Sequence, residues 1–139
     1  MCSKYYQPVK GHNQILVSIV LTPLCMCCGY DEVSAAVREH RPLVVDVRRV
    51  DEFAAGHIPG AANIPLHHIE EAFGLSEERF LAQYGVQKPG RGETFLPYCK
   101  LGIRATKARD KLHRLGYSRV TAYSGSFTEW VQMGREVEK

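Results

Sequence analysis

No stretch of this chain is long and apolar enough to cross a bilayer as a helix. The longest apolar run, Ile15 to Cys28, is broken by Ser18, Thr22 and Pro23, whereas a span needs roughly 20 apolar residues. Stable membrane insertion is not expected. Cysteine is too sparse for a disulfide scaffold: five residues, an odd number, with Cys27 and Cys28 adjacent. That usage suits a reducing compartment. Beside Cys25, Cys27 and Cys28 there is no second pair of suitably spaced ligands, so neither a metal nor another cofactor is expected. Acidic residues are missing before Asp31 and arginine before Arg38. A mitochondrial presequence would be rich in arginine, and the segment Leu-Cys-Met-Cys-Cys-Gly at the end of the apolar run lacks the small residue of a secretory cleavage site. Residues 1–29 therefore read as an extension outside the core. The expected compartment is the cytoplasm, with mitochondria second.

What is present is the make-up of one soluble domain over residues 30–139. Hydrophobic residues are 45% and charged residues 24%, close to the globular average, and a chain of this length buries most of its unfolded surface. The net charge of +3 hides a local excess. Residues 100–119 carry Lys100, Arg104, Lys107, Arg109, Lys111, Arg114 and Arg119 against Asp110 alone. Such a field attracts small anions. Without aromatic interleaving or a binding motif it does not read as a nucleic-acid surface.

Helical and strand patterns alternate from Tyr30 onward. Asp31 is placed to cap a helix carrying Val33, Ala36 and Val37, ending near His40 and Pro42. Leu43-Val-Val-Asp-Val47 has the continuous apolar character of a buried parallel strand. A short helix over 51–55 stops at Gly56, and 61–65 is a second strand. His67 and His68 open a surface helix. Ser76 caps a helix that ends at Gly85. Residues 94–99 form a strand despite Pro97, which cannot donate to a ladder. A helix over 102–115 follows, then a strand over 120–123 and a last helix from Gly125 that buries Trp130. This order predicts an α/β fold with a parallel sheet and helices on both faces. Ligands in such sheets sit beyond the carboxyl ends of the strands, where Cys99 falls.

Cys99 ends an apolar strand and precedes a helix. Amides of residues 100–104 curling around the sulfur would form an anion-binding nest, reinforced by the helix dipole. Lys100 and Arg104 add positive charge, and Gly102 permits the tight curl. Both effects favour thiolate over thiol, giving a nucleophile that needs no neighbouring base. A buried strand-end cysteine without chemistry is the competing reading of these residues. Asp46 is placed to bind backbone amides or Arg48, and His57 to tie its loop together.

Asp46-Val-Arg-Arg-Val-Asp-Glu-Phe-Ala-Ala-Gly-His-Ile-Pro-Gly-Ala-Ala-Asn-Ile-Pro65 closely resembles the N-terminal signature of rhodanese domains. Tyr123-Ser-Gly-Ser-Phe-Thr-Glu-Trp130 resembles their closing segment, and Cys99-x-x-Gly102-x-Arg104 has the spacing of their active-site loop. The chain looks most like single-domain members that act as thiosulfate sulfurtransferases of the thiosulfate:glutathione type. The resemblance implies a rhodanese-like domain whose central parallel sheet has about five strands. It implies that Cys99 takes the sulfane sulfur of a small anionic donor such as thiosulfate, forming a persulfide. A thiol acceptor (glutathione or thioredoxin) or cyanide then removes that sulfur. Lys100, Leu101, Gly102, Ile103 and Arg104 would form the substrate-binding loop, with Arg104 and Lys100 holding the donor's sulfonate, while Asp46, Arg48 and His57 support the structure. A monomer or weak dimer is implied. The loop from Cys99 to Arg104 counts six residues, against seven in the related dual-specificity phosphatases and arsenate reductases, whose activities are accordingly disfavoured. A non-catalytic rhodanese module for sulfur sensing or protein interaction is the alternative. Lys100 and Leu101 stand where arginine and a small polar residue are frequent in the family.

Overall fold

The computed structural model describes residues 27–139. Its elements in chain order are β1 (Cys27–Cys28), α1 (Tyr30–Glu39), β2 (Leu43–Asp46), α2 (Val50–Ala55) and β3 (Ala62–Asn63). A 3-10 turn (Leu66–His68), α3 (Ile69–Phe73), α4 (Glu77–Tyr84), β4 (Phe95–Tyr98), α5 (Ile103–Arg114), β5 (Ala122–Tyr123) and α6 (Ser126–Gln132) follow. Helix ends follow local chemistry. The Ser76 hydroxyl accepts from the Arg79 N–H at the start of α4, and Gly85 (φ +76°) ends it in the left-handed region. Helix α1 departs from expectation: Gly29, not Asp31, is its N-cap, because Glu32 reaches back to accept from the Gly29 N–H at 2.6 Å. Asp31 and Glu32 then lie in the first turn, where the helix dipole favours negative charge.

All strand pairings are parallel. β2 is central, flanked by β3 and β4, with Val45 opposite Ala62 and Asp46 opposite Tyr98. β5 pairs with β1 in a separate ladder. Among the described residues, the expected single sheet of about five strands is thus divided, with one bridge, Phe95 to Val120, joining the parts. Pro97 is the reason. The Phe95 carbonyl accepts from Thr121 N–H at 3.2 Å, while Tyr98, one residue past Pro97, faces β2 and accepts from Val47 N–H. Strand geometry alternates sides, so residue 97 faces β5, and the next rung lacks its donor. The β2 side is untouched and keeps the strand end in register.

Alternation along β2 and β4 also sorts the core. Val45, Val47 and Phe95 face α3, α4 and α5, meeting Phe73, Phe80 and Leu112. Val44, Leu96 and Tyr98 face the other side, where Val33 of α1 and Trp130 of α6 pack with Ile58 and Tyr123. Helices therefore cover both faces.

The expected boundary falls after residue 29, and two residues ahead of it take part in a ladder. Cys27 and Cys28 pair with Ala122 and Tyr123, and Cys28 is 5% exposed. Pairing covers an edge of β5 that would otherwise present unpaired backbone groups. Burial pushes the Cys28 thiol up, which leaves it an inert apolar filler. Cys2, Cys25 and most of the apolar run lie outside the described residues. At the other end, His57 and Glu138 exchange backbone hydrogen bonds of 2.9 Å, strapping the C-terminal segment across the loop after α2.

Candidate active site

The loop between β4 and α5 is braced before the helix begins. Cys99 N–H donates to the Ser126 hydroxyl at 3.1 Å. The Cys99 and Lys100 carbonyls accept from Phe127 and Thr128 N–H at 2.9 and 3.1 Å. The first turn of α6 thus fixes the direction of the loop. A helix start leaves four N–H groups without intrahelical partners, here those of Gly102, Ile103, Arg104 and Ala105. The Cys99 sulfur accepts from the first and last, at 3.0 Å from Gly102 N and 3.4 Å from Ala105 N. The Ser126 hydroxyl lies 3.9 Å from the same sulfur. The donors are therefore residues 102 and 105, not the whole of 100–104 as expected. The sulfur sits beneath the loop, with Cys99 1% exposed. Two backbone donors thus converge on one sulfur.

Gly102 is irreplaceable on two counts. Its φ is +107°, and a Cβ there would lie 2.6 Å from the Ser124 carbonyl oxygen. Sequence reasoning missed Ser126. It is fully buried with φ +55°, an uncommon backbone state for a residue with a side chain, and its hydroxyl donates to the Tyr123 carbonyl at 2.8 Å. The Ser-Gly-Ser run entering α6 was the only local hint.

The Arg104 guanidinium bonds Glu52 through Nη1 and Nη2, at 2.8 and 3.3 Å, which fixes its position beside the loop. Hydrogen bonding from Arg104 holds the Glu52 carboxyl down to about 2 against the opposing effect of burial, aided by Arg49 N–H. Glu52 in turn raises Arg104, and Cys99 contributes in the same direction, which sets this cation within electrostatic reach of the sulfur. A carboxyl held below its unfolded value stabilises the fold above that value and loses this contribution as pH falls through the folded one. Glu52→Gln should therefore melt lower than the parent by a constant margin above about pH 5, with the margin shrinking toward pH 2. Thermal melts across that range check this. A margin that persists undiminished at the acid end contradicts it.

The other loop residues expected to bind substrate are exposed: Lys100, Leu101 at 64% and Ile103 at 66%. They rim the loop and do not touch the sulfur through any hydrogen bond described. The support residues gather elsewhere. Asp46 is fully buried and accepts from Arg48 N–H, from Arg48 Nε and Nη2, and from the Tyr98 hydroxyl at 2.7 Å. Arg48 Nη2 also donates to the Gly56 carbonyl at 2.7 Å, and the guanidinium lies 4.4 Å from the Phe127 ring centroid. His57 Nδ1 is 2.9 Å from the Phe53 carbonyl, and its ring stacks on Phe53. It belongs to the loop and has no contact with Cys99 among these bonds.

Beside the loop lies a groove of about 570 Å³, lined by Arg48, Glu52, Lys100, Phe127, Val131 and Val137 among others. Among the described residues, no cluster of three or more His, Cys, Asp or Glu side chains could hold a metal, and no helix is long and apolar enough to cross a membrane.

Residues 30–133 match the sequence profile of the rhodanese-like domain. A Schizosaccharomyces pombe protein provisionally named a mitochondrial thiosulfate sulfurtransferase is 43% identical over 88 residues, covering 63% of this chain and 62% of that protein. The human thiosulfate:glutathione sulfurtransferase is 34% identical over 102 residues, covering 73% of this chain and 89% of its own. Among solved structures, the human single-domain sulfurtransferase TSTD1 superposes with a TM-score of 0.74 at 31% identity, covering 78% of this chain and 96% of that one.

Proposed function

This chain belongs to the rhodanese-like domain family and is a sulfurtransferase, and we propose that it moves the outer sulfur of thiosulfate to glutathione through a persulfide on Cys99. The observation that carries the role of Cys99 is the pair of α5 N–H groups aimed at its sulfur. Human and Saccharomyces cerevisiae relatives named thiosulfate:glutathione sulfurtransferase support the substrates.

The Cys99 thiolate attacks the outer sulfur of thiosulfate. A sulfur–sulfur bond forms to Cys99, the bond to the sulfonate sulfur breaks, and sulfite leaves with the electron pair. The N–H groups of Ile103 and Arg104, the two orphan donors that Cys99 does not use, are available to the incoming group. Lys100 and the fixed positive charge of Arg104 draw the dianion in. An acceptor thiolate then attacks the outer sulfur of the persulfide. It carries that atom away and returns Cys99 as thiolate, with no change in net oxidation state and no cofactor.

Thioredoxin is the alternative acceptor. Every group named above comes from one chain, so a monomer or weak dimer suffices. We assign the catalytic domain to residues 30–139, together with the strand at Cys27–Cys28, and propose the cytoplasm as its compartment, with mitochondria second.

Intact-mass measurement after incubation with thiosulfate tests the reading. One added sulfur atom is expected, removed by cyanide or glutathione and absent in Cys99→Ser. A protein that takes up no sulfur from any of several donors would instead be a sulfur-sensing or interaction module. Hydrolysis of an aryl phosphate would move it to the phosphatases.

A further inference from the structure

The groove beside the loop has walls and a floor of different chemistry. Its walls are apolar: Phe127, Val131, Val137 and Ala55 line it, and Val131 and Val137 are 50% and 38% exposed. In its lining lies Arg48, whose side chain is only 5% exposed. Arginine has five N–H donors. Asp46 and the Gly56 carbonyl take those of Nε and Nη2. The two on Nη1 have no acceptor among the described residues. A nearly buried guanidinium with an unused donor pair, set in an apolar groove, is the make-up of a small-molecule site in which a few polar groups fix orientation. The volume of about 570 Å³ suits a ligand the size of a short peptide. Lys100, the residue next to Cys99, lines the same groove, and the one acid there, Glu52, is turned onto Arg104.

We propose that this groove binds the acceptor: a peptide-like thiol of the glutathione class. One carboxylate lies on Arg48 Nη1, the body packs against Phe127, Val131 and Val137, and a second carboxylate meets Lys100, the chain neighbour of Cys99. The inference rests on the sulfur-transfer reading and adds where its acceptor docks. Two carboxylates on one small thiol match the two cations that the groove offers. Cyanide, an acceptor without a body, needs none of these contacts.

That contrast supplies the test. Val131→Glu sets a carboxylate on the exposed face of a helix, where the fold tolerates it, and into the path of the acceptor's own charge. The ratio of kcat/KM for glutathione to that for cyanide should fall roughly tenfold, as repulsion between like charges in a partly open groove dictates. S-methylglutathione, which cannot accept sulfur, should shift the NMR signals of Val131 and Val137 in the unaltered protein, and the shifts should weaken in Val131→Glu. A ratio within twofold of the parent overturns the groove as the acceptor site, as do shifts that fall elsewhere. If the parent forms no sulfur adduct, the transfer reading fails, and the S-methylglutathione shifts alone then decide the groove.

Discussion

Alanine at position 102 is expected to cut the rate of sulfur uptake from thiosulfate on the order of a hundredfold, the usual cost of losing one preorganised donor. The added methyl cannot stay where the backbone puts it, 2.6 Å from the Ser124 carbonyl oxygen. Backbone must move on one side or the other, and the Gly102 N–H, 3.0 Å from the Cys99 sulfur, moves with it. Strain at φ +107° adds about 1–3 kcal/mol of lost stability. Gly85 supplies the control. It too has positive φ, +76°, but nothing lies within 4 Å of its missing Cβ, so Gly85→Ala should cost about 1 kcal/mol and leave the reaction alone. Urea unfolding and single-turnover kinetics on the two variants separate strain from misplaced donors. Equal behaviour of the pair would show that the close approach at Ser124 is unimportant.

Asp46→Ala should be the most damaging single change to stability. It removes the only carboxylate bonded to Arg48 among the described residues and the acceptor of the Tyr98 hydroxyl, at side-chain exposures of 0% and 5% for the two ions. Breaking a buried pair from one side typically costs about 3–5 kcal/mol, because the remaining charge stays desolvated. A domain of this size holds only about 5–15 kcal/mol in all, so the variant should be largely unfolded well below the parent's melting temperature. Replacing both ions, as in Asp46→Ala with Arg48→Met, should recover much of that loss. Chemical denaturation of the single and double variants reads this non-additivity directly. A single-variant loss under about 1 kcal/mol would show that the pair is effectively solvated.

Part of what depends on neighbours along the chain could be read in advance, though the Gly29 cap of α1 was not. Ser76 and Gly85 bound their helix as expected, because capping is decided within four residues. Cys99 at a strand–helix junction implied amide donors for the same reason, though the register of the turn, which puts Ala105 and not Leu101 on the sulfur, could not be counted in advance. Contacts between distant segments were not legible. Glu52 reaches Arg104 across 52 positions, and Ser126 reaches Cys99 across 27. Nothing in the composition of either segment pairs them. The two-residue strand at Cys27–Cys28 was too short to leave a periodic signature. Pro97 was conspicuous, but which of two flanking strands would lose its hydrogen bond is fixed only by the three-dimensional pleat.

That missing rung is made good one step further on. The strand on one side of it delivers Cys99, and the strand on the other leads into Ser126. There Cys99 N–H donates to the Ser126 hydroxyl at 3.1 Å, and the Cys99 and Lys100 carbonyls accept from Phe127 and Thr128 N–H. The seam that the proline opens in the sheet is therefore stitched shut beside the sulfur.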